Sequence, residues 1–428
     1  MTTPAGAGAA PSFTCTVVDD KPRDGYWIQA VDIDGDGRPD LVACGLTRGE
    51  VVWYENPTWT KRTIATMTND KPVALDAADL TGDGLPDLVI CHDYGKCMFD
   101  CGPKDGRISW LQNPGIGNLN KPWTRRHIAD LVATHRLRLG HFTTDARLQL
   151  AAFPVVGPQG GAEGVTSAVR AMVYDPPDNP LTSEWKGRPI DTTPFTIVHG
   201  VVAARFPGTP WPERESFLLA SAEGISWLGQ GPGGTWQHKT IGSGVPPQKS
   251  VETGREFRGS GNLAIGRVGG RPYSVIVALE PFHGNTVTAY VRPPGAHPFA
   301  AAWMRKVLKV HPQPDPKHDA VGHHVVAADF DNDGDDEFLV AMRGPAPAQG
   351  VFYYKLDASG KVVVEKQIST ESTARIAVAD FNGDGRLDFA TTAYNTTGYY
   401  EIPNPKVRLY TNTFATPAPV LPPAGGDG

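Results

Sequence analysis

The chain has 428 residues, a formal net charge of −6, 48 glycines, 39 prolines and 40% hydrophobic residues. That charge supplies no basic stripe to neutralise phosphates, so nucleic acid is not an expected partner, and no apolar run approaches the roughly 20 residues of a membrane helix. Many short Val/Ile/Leu/Trp runs broken by Gly and Pro read as an all-β chain with many turns.

Residues 1–11 have neither a basic start nor an apolar stretch, so no secretory signal is read and a cytoplasmic protein is expected. A secreted protein with its leader removed would read the same way. The five cysteines (Cys15, Cys44, Cys91, Cys97, Cys101) form no CxxC motif. Cys97 and Cys101 are close enough in sequence to pair, but reduced thiols are the default expectation.

In chain order, Phe13 opens the first predicted strand, at 13–18. It is the first of seven outer strands that typically carry an aromatic, then a basic and an aliphatic residue. An Ala/Val-rich inner strand follows and ends at Asp32. A nine-residue acidic loop comes next, then a strand at 51–57 that ends in an aromatic and a turn. A second outer strand at 59–64 completes the unit.

The unit then repeats. Further outer strands lie at 123–128, at 363–368, and from Trp185, Trp236 and Trp303. Further inner strands end at Asp79, His141, Arg205, Arg267, Asp329 and Asp380. Copies of the third strand fall at 107–114, 169–176, 224–228, 286–293, 350–355 and 406–411. Each mark counts seven, which predicts a seven-bladed β-propeller with four-stranded blades over 12–414. The last unit lacks an outer strand and 13–18 is left over at the start, so their pairing is expected to close the ring. The Pro/Gly-rich segment 415–428 is expected to be disordered.

Four inner strands run into the same loop pattern. Its oxygen-bearing side chains at positions one, three, five and nine are Asp32, Asp34, Asp36 and Asp40 in blade one, and Asp79, Thr81, Asp83 and Asp87 in blade two. They are Asp329, Asp331, Asp333 and Glu337 in blade six, and Asp380, Asn382, Asp384 and Asp388 in blade seven. With glycine at position six for the sharp turn, this pattern suits a hard cation, Ca²⁺ or Mg²⁺. The loops resemble those of FG-GAP/VCBS propellers, the class that includes integrin-type heads. Their repeated position favours a structural cation over an adhesion site.

Six residues before the end of each inner strand stand Tyr26, Val73, His135, His199, Gly261, His323 and Ala374. Inner strands line the central channel side by side, so these positions share one depth and place three imidazoles at its mouth. Three histidines with an open position are what a catalytic Zn²⁺ uses. The loop between second and third strands opens on the same face and carries His283, Tyr94 and Tyr394. His127 and His238 fall in outer strands and read as surface residues, while His92, His311 and His318 are placed in loops.

Further segments carry a second resemblance. They are Asp24-Gly25-Tyr26-Trp27, Gly106-Arg107-Ile108-Ser109-Trp110-Leu111, His135-Arg136-Leu137, Gly140-His141-Phe142, Phe282-His283-Gly284-Asn285-Thr286-Val287, Lys317-His318, Asp336-Glu337-Phe338-Leu339-Val340-Ala341-Met342 and Gly398-Tyr399. Spread over nearly the whole chain, they resemble the propeller domain of the aldos-2-ulose (1,5-anhydro-D-fructose) dehydratases. The resemblance implies a propeller with a catalytic zinc that removes water from a 2-keto sugar. Members of that family continue into cupin and lectin-like domains and this sequence does not, so dehydration rather than the cupin-assigned isomerisation is the expected step.

The expected site is therefore Zn²⁺ on His135, His199 and His323, acting as Lewis acid on the C2 oxygen. His283 is a base or fourth ligand, Tyr94 and Tyr394 are acids, and Arg136 holds sugar hydroxyls. Tyr26, His318 and Tyr399 are expected to contact the substrate, a small sugar; a homodimer is allowed. The rivals are a polysaccharide lyase acting by β-elimination on uronic acids and a non-catalytic carbohydrate- or protein-binding propeller.

Overall fold

Several runs, among them Asp40–Cys44, Asp87–His92, Ser216–Ser221 and Glu337–Met342, are buried at every position. A strand covered on both faces lies inside a stack of sheets, and polarity alternation disappears from such strands. In the computed structural model, residues 10–414 are described apart from 68–69, 99, 145, 183, 251–253, 296–298, 300–301, 313–320 and 398–399. Among these residues the chain forms seven four-stranded antiparallel sheets arranged as a β-propeller. Of the termini, expected to be flexible over 1–11 and disordered over 415–428, residues 1–9 and 415–428 lie outside the described residues.

The inner strands, in blade order, are Trp27–Val31, Ala74–Ala78, Thr134–Gly140, Val198–Ala204, Asn262–Val268, Gly322–Ala328 and Arg375–Ala379. Outer strands are more solvated, and Lys186–Pro189 is exposed throughout. The ring closes as the repeat count requires: Phe13–Asp19 is the outer strand of blade seven, paired with Val407–Asn412 from Phe13↔Asn412 to Asp19↔Val407. Phe13 packs edge-on against Phe389, Phe330 and Phe414, with ring centroids 5.0, 5.9 and 5.6 Å away.

Hydrophobic side chains fill the wedges between neighbouring blades. Val42, Trp53, Val89 and Trp110, for instance, bury themselves in one cluster. Polar staples reinforce the wedges at the acidic-loop end. Asn56, Asn113 and Asn412 each donate from Nδ2 to a main-chain carbonyl in the preceding blade's loop, at Phe381 (2.8 Å), Ile33 (3.0 Å) and Phe330 (2.7 Å).

Two features depart from the sequence reading. An extra hairpin, Val245–Lys249 with Glu256–Gly259, leaves blade four before blade five begins. Cys97 and Cys101 form a disulfide instead of remaining reduced, while Cys15, Cys44 and Cys91 are free. The disulfide loop and the hairpin meet, since Arg255 donates to the Met98 carbonyl.

Candidate active site

The three register-matched histidines share a backbone device. In blade three Thr134 pairs with Pro154 and Arg136 with Phe153, so His135 is left out of the ladder. His199 between Val198 and Gly200, and His323 between Gly322 and His324, are left out in the same way. Each is thus the extra residue of a β-bulge, which bends the strand and re-aims one side chain. Blades one and seven pair without a shift at this level, at Trp27↔Cys44 and Arg375↔Thr392.

His283 arrives from the loop between second and third strands of blade five, with φ at +51°. That left-handed conformation is unfavourable for a side chain larger than glycine, at about 1–3 kcal/mol, and persists only where its surroundings enforce it. Phe282 stacks on the imidazole at 4.1 Å. Gly261 permits the approach: a Cβ there would lie 2.8 Å from the His283 backbone nitrogen.

Among the described residues, the histidines whose ring nitrogens lie within 4.8 Å of one another are His199, His283 and His323. This differs from the expected set. His135 stands beside the trio, its ring 5.1 Å from that of His199. Its Nε2 accepts from the Tyr26 hydroxyl at 2.9 Å and faces Arg136 Nη1 at 3.3 Å. Register had put His135 at the right depth, but its Nε2 is taken up by the Tyr26 hydroxyl and its Nδ1, buried without a partner, falls outside the converging set. His283, expected as base or fourth ligand, takes the third place.

Hydrogen bonds set the tautomers. His199 Nδ1 donates to the Gly261 carbonyl at 2.8 Å, and His323 Nδ1 donates to that of Ala374. Both rings therefore present a lone pair at Nε2. That of His323 is buried without a hydrogen-bond partner, and that of His199 lies 3.1 Å from His283 Nε2 and 2.9 Å from Arg136 Nη2. Backbone-anchored imidazoles that present Nε2 lone pairs suit a zinc-type cation, which takes neutral histidine oriented by a second hydrogen bond. Burial first, and then the guanidinium groups of Arg136 or Arg343, hold the pKa values of His135, His199, His283 and His323 well below the usual histidine value. All four are neutral near pH 7, as a ligand set must be.

Around the trio lie the expected aromatic hydroxyls. Tyr394 is buried with its ring 5.1 Å from His323, and Tyr26 is 5.3 Å from His323. Tyr94 is 5.5 Å from His135. Arg343 was not anticipated. It is fully buried, stacks on Tyr394 and Tyr400, and points Nη2 at His283 Nδ1 at 3.4 Å. No repeat mark singles it out, because it follows a second strand, whose end has no motif. His318 and Tyr399 lie outside the described residues.

Elsewhere, His127 and His238 are exposed on outer strands, as expected. His92 ends a second strand and bonds Ser109 Oγ, while His311 is buried against Tyr354; neither sits in an open loop.

The acidic loops keep the expected turn. Asp32, for example, accepts from the backbone nitrogens of Gly35, Asp36 and Gly37, and Gly37 has φ at +86°. Carboxylates at positions one, three and five converge within 4.8 Å in blades one and six. Position nine behaves otherwise than expected. Asp40 spends its two oxygens on the Ile33 and Asn56 backbone nitrogens, and Asp87 and Asp388 do the same in their blades. In blade six the ammonium of Lys355 reaches Asp331 (2.5 Å), Asp333 (2.6 Å) and Glu337 (3.0 Å). That loop already holds a cation of its own.

Comparison with known proteins agrees with this architecture. Residues 105–293 match the family model described as aldos-2-ulose dehydratase, beta-propeller domain, and residues 32–90 and 329–391 match FG-GAP-like repeats. The chain is 34% identical over 434 aligned positions to aldos-2-ulose dehydratase of Phanerodontia chrysosporium, an alignment covering 96% of this chain and 47% of that protein. The chain thus spans about half the length of that curated relative. YCF48 from Cyanidioschyzon merolae aligns with TM-score 0.49 and 11% identity, covering 93% of this chain and 98% of the other. A virginiamycin B lyase from Staphylococcus aureus with quinupristin gives 0.47 and 10%, covering 94% and 99%.

Proposed function

From a chain that carries the β-propeller of the aldos-2-ulose dehydratases, set in FG-GAP-like repeats, we propose a hydro-lyase that removes water from a 2-keto sugar such as 1,5-anhydro-D-fructose or glucosone. The observation that carries the proposal is the convergence of His199, His283 and His323, with the tautomers of His199 and His323 fixed from behind. His199, His283 and His323 would hold a zinc, which would supply Lewis-acid polarisation of the sugar C2 carbonyl when bound.

The remaining chemistry belongs to the chain's own side chains. Loss of the C3 proton places negative charge on the C2 oxygen as an enediolate develops. The guanidinium groups of Arg136 and Arg343, fixed next to the trio, stabilise that charge without reorganising. His135 is neutral, and its Nε2 already accepts from the Tyr26 hydroxyl, so the pair can relay the abstracted proton. Tyr94 or Tyr394 protonates the departing C4 hydroxyl, each within ring-contact distance of a site histidine. We also assign a structural Ca²⁺ or Mg²⁺ to the acidic loops of blades one, two and seven, with Lys355 standing in for it in blade six.

The test couples zinc analysis to the ultraviolet absorbance of an enone product from 1,5-anhydrofructose. Wild type is expected to hold one tight zinc in the channel and to turn over. His323→Ala should lose both, whereas His135→Ala should keep the metal and lose roughly 10²-fold or more in rate, the usual worth of a proton-transfer group. Zinc and turnover intact in His323→Ala would sink the scheme. Arg343 also strengthens the rival reading, β-elimination on a uronic-acid glycan, because a second guanidinium can neutralise a substrate carboxylate. Release of unsaturated uronates, with no enone from the keto sugar, would decide for that rival.

A further inference from the structure

Below the histidine layer the channel opens toward the opposite face. It widens into a cavity of about 400 Å³ whose wall includes Arg136, Arg138, Arg375, Asn262 and His324. A second cavity of about 280 Å³ adjoins it, sharing Arg138 and Arg375 and reaching Asp76. Asp76 is the one acidic group among the lining residues of the two. Its oxygens are engaged by Gln29 Nε2 at 3.0 Å and the Leu139 backbone nitrogen at 2.8 Å. Three guanidinium groups and one carboxylate thus line the space, an excess of positive charge in a solvent-open funnel flanked by protein.

The arginines are held in place for a ligand. Arg136 and Arg375 both lie over the Trp27 ring, 5.5 and 3.4 Å from its centre. Arg138 is anchored through the carbonyls of Leu137 and Val201. His324 accepts from the Ile376 backbone nitrogen through Nδ1 at 3.2 Å, so the neutral ring carries its proton on Nε2. Burial, with mutual repulsion, pushes the Arg138 pKa down to about 10 and that of Arg375 down as well. Rigid guanidinium forks with unbalanced charge match an oxyanion, which they bind through paired N–H donors.

We propose that this lower chamber is an oxyanion site, built by Arg138 and Arg375 under Arg136, for a tetrahedral anion of the phosphate class. It lies below the histidine trio, meeting it through Arg136, whose Nη2 is 2.9 Å from His199 Nε2, and it does not depend on the dehydratase reading, because no sugar chemistry enters the argument. The chamber is roomy enough for the anion and several waters.

Titration calorimetry of the whole protein with inorganic phosphate, against chloride of equal ionic strength, tests it. Wild type should bind one phosphate saturably. Arg138→Gln should weaken binding roughly tenfold or more, the loss of one charge-assisted bond. Asp76→Asn, which removes the opposing charge while keeping an acceptor for Gln29, should tighten it. His323→Ala should leave it unchanged, which separates this chamber from the site above. Absence of saturable binding overturns the proposal. So does binding that Arg138→Gln retains in full, or that His323→Ala abolishes.

Discussion

His92 and His311 are buried like the channel histidines but pair with ordinary neutral groups, Ser109 Oγ at 2.9 Å and the Tyr354 hydroxyl at 3.2 Å. Burial pushes both pKa values down to about 4. The unfolded chain takes up protons below about pH 6.5 while the folded one refuses them until about pH 4. Their contribution is therefore complete above pH 6.5 and lost as pH falls from there to 4, on the order of 3 kcal/mol for each. His92→Gln, which keeps a bond to Ser109, should flatten the acid limb of stability in that window. Urea unfolding at a series of pH values reads this directly, and an unaltered slope would contradict it. The channel histidines differ from these two in chemistry more than in burial. Anchored Nδ1–H groups leave Nε2 atoms aimed at one another, and that wiring cannot be read from composition.

At the level of strands and loops, the sequence announced most of what matters. Seven marks of each kind gave the blades, and a fixed offset from the inner-strand ends found His135, His199 and His323. What it could not supply is which nitrogen each ring offers. That depends on Tyr26, a partner 109 residues from His135, and on the Gly261 carbonyl behind His199. Arg343 and the Arg138–Arg375 chamber escaped for the same reason, since they are brought together only by closure of the ring.

The acidic loops show both the power and the limit of motif spacing. Four loops of one pattern were legible, but Lys355, 18 residues beyond Glu337, was not. It occupies the strand position held by Glu55, Gln112 and Thr411 in blades one, two and seven. Against burial, which lowers it, contacts with Asp331, Asp333 and Glu337 keep the Lys355 pKa raised. Burial pushes that of Glu337 up to about 8. Lys355→Met should cost about 3 kcal/mol, because it leaves the crowded carboxyl groups of Asp331, Asp333 and Glu337 without a counter-charge. Millimolar calcium should then recover much of the lost melting temperature and raise the calcium stoichiometry by one. Calcium that leaves the variant's melting unchanged would refute the equivalence.

For the molecule as a whole, the last contact made is the one between its two ends. Removing residues through Asp19 strips the outer strand from blade seven and uncovers Val407–Asn412, a free edge that invites intermolecular pairing. The truncated protein is expected to elute as aggregates on size exclusion. A synthetic peptide of residues 12–19 added during refolding should restore the monomer-sized peak, and failure of the peptide to do so would argue against a simple edge defect.

That same pairing has a consequence in time. The strand at Phe13–Asp19 leaves the ribosome long before its partner, Val407–Asn412. Until that partner is made, the nascent chain must carry an aromatic-led strand with nowhere to dock, while blade after blade is completed beside it. Exposed hydroxyls in its middle, on Thr14 and Thr16, keep that waiting segment wettable. Closure of the ring then rests on a long-range search, the slow kind of contact to make.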